Sequence, residues 1–263
     1  MQYKNFTVIS LLLLSSCTKE INIDLNSSDA KIVIEGNISN EVGPYYVKLS
    51  KSVNFSESNI YPPISNAIVV ISDNVGTIDT LIEEVSGTYK TQKTIGVPGN
   101  TYNLTVFIDG NKYTATSKMP IPVKLDSLKF GSFSGFGGDD STYTVIPVFR
   151  DPESYGNNYR FIQTVDGELD KSYIIFNDNA TNGIVNQRPI FSSDVDVRKN
   201  SEVKVEMRCV DPETYLYFYS LSQIAGNGPG GGTTPSNPPT NITGDVMGIF
   251  SAYSTQTITQ IAP

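Results

Sequence analysis

Between residues 30 and 120, turn-forming residues recur every few positions and leave no window long enough for an amphipathic helix. The segments between them are rich in Val, Ile, Thr and Tyr, which suit a pleated, half-buried surface. They fall at residues 30–36, 45–50, 67–72, 79–84, 87–93, 101–109 and 112–118. Ile32 and Ile34 share one face of the first, as period-2 alternation requires. Asp109-Gly110 is a type I′ hairpin signal, and Val97-Pro98-Gly99-Asn100 carries the Pro-Gly pair of a type II turn. Seven short strands at this spacing describe a small β-sandwich. Met119-Pro120-Ile121-Pro122 ends it, because two prolines one residue apart cannot continue a central strand.

The second half, from residue 121, opens with residues 123–130 and a Gly/Ser-rich loop at 131–140. Further strands are expected at 142–150, 158–165, 173–176 and 202–210. Asp151-Pro152-Glu153 and Asp211-Pro212-Glu213 repeat one punctuation. The second opens the one helical pattern: Asp211 suits the N-cap, Pro212 the first turn, and Glu213 the positive helix end. Tyr215, Leu216, Phe218, Tyr219 and Ser222 then follow at helical spacing up to Ala225, a stripe expected to face the core. Residues 226–240 form a Gly/Pro-rich loop. Apolar alternation returns at 241–252 (Val246, Ile249, Phe250), expected to close the second sheet. The fold class is therefore mainly β: an N-terminal Ig-like or transthyretin-like sandwich over 30–120, then a second β-rich domain over 121–263 with one short helix.

Ahead of these lies a different kind of segment. Residues 6–14 are an apolar run behind Lys4, the length of a secretory signal and too short to span a bilayer, which takes about 20 residues. The run ends in Leu14-Ser15-Ser16-Cys17, which resembles a bacterial lipobox: Leu, two small residues, then the cysteine. That resemblance implies a signal peptide over 1–16, thioether lipidation of Cys17, cleavage before it, and a lipidated tether over 17–29. The plainer alternative is an ordinary signal peptide with a chance cysteine. Removing residues 1–16 takes away one basic residue, leaving 18 basic against 27 acidic residues and moving the net charge from −8 to −9. Such acidity disfavours nucleic acid and electrostatic adhesion to anionic lipid, and suits a body held by acyl chains.

Residue usage also narrows the chemistry. The sequence has no histidine, which removes His-based triads, His-Glu-x-x-His zinc sites and histidine proton shuttles. It also lacks tryptophan, so a sugar platform would rest on tyrosine. Besides Cys17 the only cysteine is Cys209, in an alternating run on the face of Val203, Val205 and Met207, where it reads as a small buried hydrophobe. No cofactor, metal site or catalytic signature is expected. Gly226-x-Gly228-x-x-Gly231 has the wrong context for a dinucleotide loop, since it follows a helix and contains Pro229. Residues 177–183 look like a calcium loop but place Gly183 one position late and Arg188 where the closing Glu belongs, so a turn is expected. The pairs Asp139/Asp140 and Asp194/Asp196 are expected to be solvated. A glycosidase carboxylate pair has no recognisable signature here. Asp79-Thr80-Leu81, Asp126-Ser127-Leu128 and Asp140-Ser141-Thr142 resemble an O-glycosylation sequon of exported Bacteroidota proteins, making Thr80, Ser127 and Ser141 candidate sites.

Several segments, in order, resemble the domain-of-unknown-function 4249 family of Bacteroidota outer-membrane lipoproteins. They are Cys17 with Lys19-Glu20, Ile32-Val33-Ile34-Glu35-Gly36, Tyr46-Val47-Lys48-Leu49-Ser50, Pro98-Gly99-x-x-Tyr102-x-Leu104-x-Val106 and Met119-Pro120. Later come residues 211–221, Ser236-Asn237-Pro238-Pro239-x-Asn241-Ile242 and Gly248-Ile249-Phe250-Ser251-Ala252. The resemblance implies an outer-membrane, surface-facing lipoprotein anchored through Cys17 and partnered by a TonB-dependent β-barrel receptor of the SusC-like type. Lys19-Glu20 resembles a shortened surface-export signal. The expected function is a non-enzymatic accessory or ligand-capturing partner of that transporter. A cell-surface adhesion module is the alternative, with a glycan-active hydrolase behind it.

Overall fold

A computed structural model describes residues 29–54, 58–132, 142–192, 194–225 and 237–263. Cys17, Ser141, Asp139/Asp140 and the Gly226–Gly231 motif lie outside them. The first half forms β1 (Ile32–Ser39), β2 (Tyr46–Lys51), β3 (Ile68–Asp73), β4 (Ile78–Thr80), β5 (Ile82–Val85), β6 (Thr88–Lys90), β7 (Thr101–Ile108) and β8 (Asn111–Lys118). The second forms β9 (Leu125–Ser132), β10 (Thr142–Arg150), β11 (Asn158–Val165), β12 (Glu168–Leu169), β13 (Ile174–Asn177), β14 (Val185–Asn186), β15 (Val197–Arg198) and β16 (Glu202–Val210). Helix α1 (Pro212–Ala225) and strand β17 (Val246–Ile261) follow. Among the described residues the protein is mainly β with one short helix. Among the described residues no helix is long and apolar enough to cross a membrane.

The turn signals are met in geometry. Asp109 and Gly110 both take positive φ, 49° and 81°, as a type I′ turn demands. Gly99 at φ 92° and the Asn100 N–H to Val97 carbonyl bond of 3.1 Å make the type II turn. The segment expected as one strand over 79–84 is divided between β4 and β5, which belong to different sheets. The chain changes sheet at Leu81, buried, with its N–H bonded to the Val69 carbonyl at 2.9 Å.

Two hydrophobic clusters result. The first lies between the sheet β4-β3-β7-β8 and the strands β1, β2 and β6, with Ile34, Val47, Leu49, Tyr89, Tyr102 and Leu104 at its centre. The second lies between β9, β10, β14 and β15 and the strands β11, β13 and β16, around Phe149, Tyr159, Phe161 and Met207. Cys209 is buried in it beside Val203, Val205 and Met207, the face its alternation indicated.

Strand β17 departs from expectation. It was expected to close the second sheet, but Val246 to Tyr253 pair in parallel with β1, and Ser254 to Ile261 pair antiparallel with β16. One nine-stranded sheet, β12-β11-β16-β17-β1-β2-β6-β5 with β13 also on β11, thus runs through both halves. Ile242, Val246, Phe250 and Ala252 pack in the first cluster, and Ala262 in the second. The physical reason is burial on both faces: residues 248–255 of β17 are all buried, so no alternation marks where one partner gives way to the next. Asn241 adds a side-chain rung, its amide donating to the Phe250 carbonyl at 2.7 Å and accepting from the Phe250 N–H at 3.1 Å.

Helix α1 packs on the outer face of this sheet, against β11, β13 and β17. Its start is fixed as expected: the Asp211 carboxylate accepts the Thr214 N–H at 2.8 Å. Its aromatic stripe, expected to face the core, is not in either cluster, and Leu216 and Tyr219 are 49% and 42% exposed. Tyr215 and Tyr219 stack on each other with ring centroids 5.7 Å apart. Beneath the helix, Arg160 of the sheet takes the face of the Phe218 ring instead.

Candidate functional site

The two Asp-Pro turns meet at the junction of the halves. Tyr159 on β11 is wholly buried, and its hydroxyl donates to the Asp151 carboxylate. Burial raises the Asp151 carboxyl above the usual range, and the neighbouring Asp178 adds to it against the Tyr159 bond. On the other side, Ser117 on β8 donates its hydroxyl to Asp211 while accepting the Ala252 N–H at 2.8 Å. Thr214 donates to the Ser251 hydroxyl at 3.0 Å. Burial pushes the Asp211 carboxyl up as well, against hydrogen bonds from Ser117 and Thr214. A helix start is thereby tied to one strand from each side of the first sandwich.

These turns line a cavity of about 580 Å³. Met119, Pro120, Ile121 and Pro122 of the linker form one wall, and Pro152, Tyr159 and Pro212 form much of the other. The polar lining comes from Lys118, Ser154, Asn157, Asn158 and Asp211. A preformed, mainly apolar cavity with a small number of polar groups is the usual form of a small-molecule site, and its volume falls in the usual range of about 300–1,000 Å³.

A second, smaller cleft lies between α1 and the sheet. Arg160 on β11 and Arg208 on β16 stand directly opposite in register, an arrangement that like charge opposes. Glu206 resolves half of it, taking Nε of Arg208 at 2.6 Å and Nη2 at 3.2 Å, and a bond from the Thr255 hydroxyl at 2.9 Å. Burial would raise Glu206, but Arg208 and Thr255 outweigh it and hold the carboxyl below its ordinary range. The Arg208 guanidinium also sits 4.3 Å over the Tyr253 ring. Arg160 sits 3.6 Å over the Phe218 ring of α1 and, among the described residues, has no carboxylate within ion-pair distance. Burial, then Arg208, pushes Arg160 down to about 10, so it keeps its charge at neutral pH. The cleft measures about 140 Å³, and Glu35, Thr214 and Ile249 help line it.

The other sequence candidates are scattered. Thr80 is exposed on β4 and Ser127 half-buried on β9, far apart in topology. The acid of the Thr80 sequon, Asp79, is wholly buried and accepts the Gln92, Lys93 and Thr94 N–H groups at 2.7–2.9 Å. Asn177 ends β13 and residues 178–183 form turns, with the Thr181 N–H bonded to the Asp178 carbonyl at 2.9 Å. Asp194 accepts the Lys171 N–H and Asp196 pairs with Arg198. Among the described residues no group of three His, Cys, Asp or Glu side chains could hold a metal ion. Sequence reasoning passed over Arg160 and Arg208, because a cation at an outward position of an alternating strand reads as solvent-facing until a helix is known to cover it. The repeated Asp-Pro-Glu punctuation was the visible signal for the junction.

No curated protein matches this sequence. The family model described as a domain of unknown function (DUF4249) matches residues 18–259, nearly the whole chain, and the protein belongs to that family.

Proposed function

We propose that this protein is a lipid-anchored outer-membrane protein that captures a ligand as the non-enzymatic accessory of a TonB-dependent β-barrel receptor. The junction cavity of about 580 Å³ is the observation that carries the binding reading: it is preformed, largely apolar, and built by the linker and both Asp-Pro turns. Its walls come from both halves, so a small change in their relative position would alter its shape and could report occupancy to a partner. The lipobox-like Leu14-Ser15-Ser16-Cys17 supports the anchor, and an acidic body supports a position held by acyl chains rather than by charge. Exposed Thr80 and half-buried Ser127 are proposed as positions where an O-linked glycan would be sought first. Cys17→Ala tests the anchor: the variant is expected in the soluble fraction, and retention in the membrane fraction would overturn it. Ile121→Trp, in the cavity wall and 65% exposed, tests the site. Loss of ligand uptake with unchanged membrane level is expected, and normal uptake would contradict a role for the cavity.

A further inference from the structure

We propose that the cleft between α1 and the outer face of the sheet binds a carboxylate, with the Arg160 guanidinium as its anchor. The inference is independent of the anchor and partner above, and concerns a site distinct from the junction cavity.

Three observations point to an anion. Arg160 and Arg208 are register partners, so two guanidinium groups share one patch of sheet. Among the described residues the carboxylate bonded there, Glu206, is committed to two nitrogens of Arg208 and to Thr255. Among the described residues Arg160 therefore keeps its planar fork of donors without a carboxylate, although Phe218 covers one face. A guanidinium taken partly out of water and left without an acceptor is costly, and a bidentate oxyanion removes that cost.

Shape and lining select among oxyanions. Phe218, Tyr253 and Ile249 give the cleft apolar and aromatic walls. A hydrated phosphate or sulfate gains nothing from such walls, whereas the acyl or aryl body of an organic acid does. At about 140 Å³ the cleft admits a carboxylate with a few further heavy atoms, or the carboxylate end of a longer chain. The planar fork of arginine suits a planar carboxylate, and exposed Glu35 at the rim disfavours ligands of higher negative charge.

The experiment titrates the protein with benzoate, following arginine Nε–H resonances and calorimetric heat. Saturable binding that shifts the Arg160 resonance is expected, with no binding of the isosteric neutral benzamide. Arg160→Gln is expected to weaken benzoate by roughly tenfold or more while leaving Cys209 buried and the unfolding midpoint close to wild type. Equal benzoate affinity in Arg160→Gln, equal binding of benzamide, or equal displacement by inorganic phosphate would each overturn the assignment. If Arg160→Gln does not fold, Phe218→Leu takes its place, and undiminished affinity in it would likewise overturn the proposal. Both sources of the chemistry are compared by adding Gly-Gly-Phe as free acid and as C-terminal amide. Tighter binding of the free-acid peptide than of benzoate identifies a chain end, and the reverse identifies a free organic acid.

Discussion

Buried carboxylates divide into two kinds, and the difference is which state their surroundings favour. At Asp79, burial favours the neutral form, but N–H groups of residues 92–94 and the Thr94 hydroxyl outweigh it and lower the pKa from 3.8. Half-buried Glu206 is likewise lowered from 4.5. A depressed pKa means that stability is present above the unfolded value and is lost as pH falls through the folded one. Unfolding free energy is therefore expected to begin falling near pH 4.5 and to continue below 3.8, as measured by urea titration across pH. In Glu206→Gln the part of that loss due to Glu206 should vanish; an unchanged profile would contradict the assignment. Asp211 has the opposite sign, since burial raises its pKa, so its charge is tolerated rather than required. Asp211→Asn, which can still cap α1, is expected to change stability by less than about 1 kcal/mol, whereas Asp211→Ala should cost about 1–2 kcal/mol. Equal losses in chemical denaturation would refute this capping role. The cap was legible in Asp211-Pro212-Glu213, but its burial against Ser117 was not, because the two residues are brought together only by the tertiary fold.

At the level of elements, the strands bounded by clear turns were readable and those defined by tertiary pairing were not. Strands β10, β11 and β16 occupy 142–150, 158–165 and 202–210, where alternation placed them. The β4/β5 switch escaped because a single run such as Asp79 to Glu84 carries no local sign that its partner changes. β17 escaped because both its faces are covered. Its glycine shows how closely it is held: a Cβ at Gly248 would lie 2.0 Å from the Ile34 carbonyl oxygen of β1, at φ +102°. Gly248→Ala is expected to cost about 4 kcal/mol or more, or to prevent folding. Gly110→Ala, also at positive φ (+81°) but with nothing within 4 Å, should cost only about 1 kcal/mol. Similar thermal midpoints for the two variants would contradict the close β1–β17 approach.

Across the whole molecule, the shared sheet sets how the halves behave. The first cluster is completed by Ile242, Val246, Phe250 and Ala252, which arrive from the far end of the chain. Residues 29–120 expressed alone should therefore lack a fixed core, and near-ultraviolet circular dichroism should show no ordered tyrosine environment; a folded fragment would contradict the shared architecture. Sequence marked the linker at residues 119–122 because proline punctuates locally, but it could not show that a later strand reunites what the linker separates. The junction cavity is lined by the linker and both Asp-Pro turns rather than by β17, so the proposed ligand site lies beside the shared sheet and not within it. The most direct test is affinity purification of the full-length protein from native outer membranes in mild detergent, with the Cys17→Ala variant alongside. The expected result is stoichiometric recovery of a TonB-dependent β-barrel receptor with the wild-type protein and its loss with the variant. Recovery of the membrane-bound wild-type protein without any β-barrel partner would contradict the proposed function.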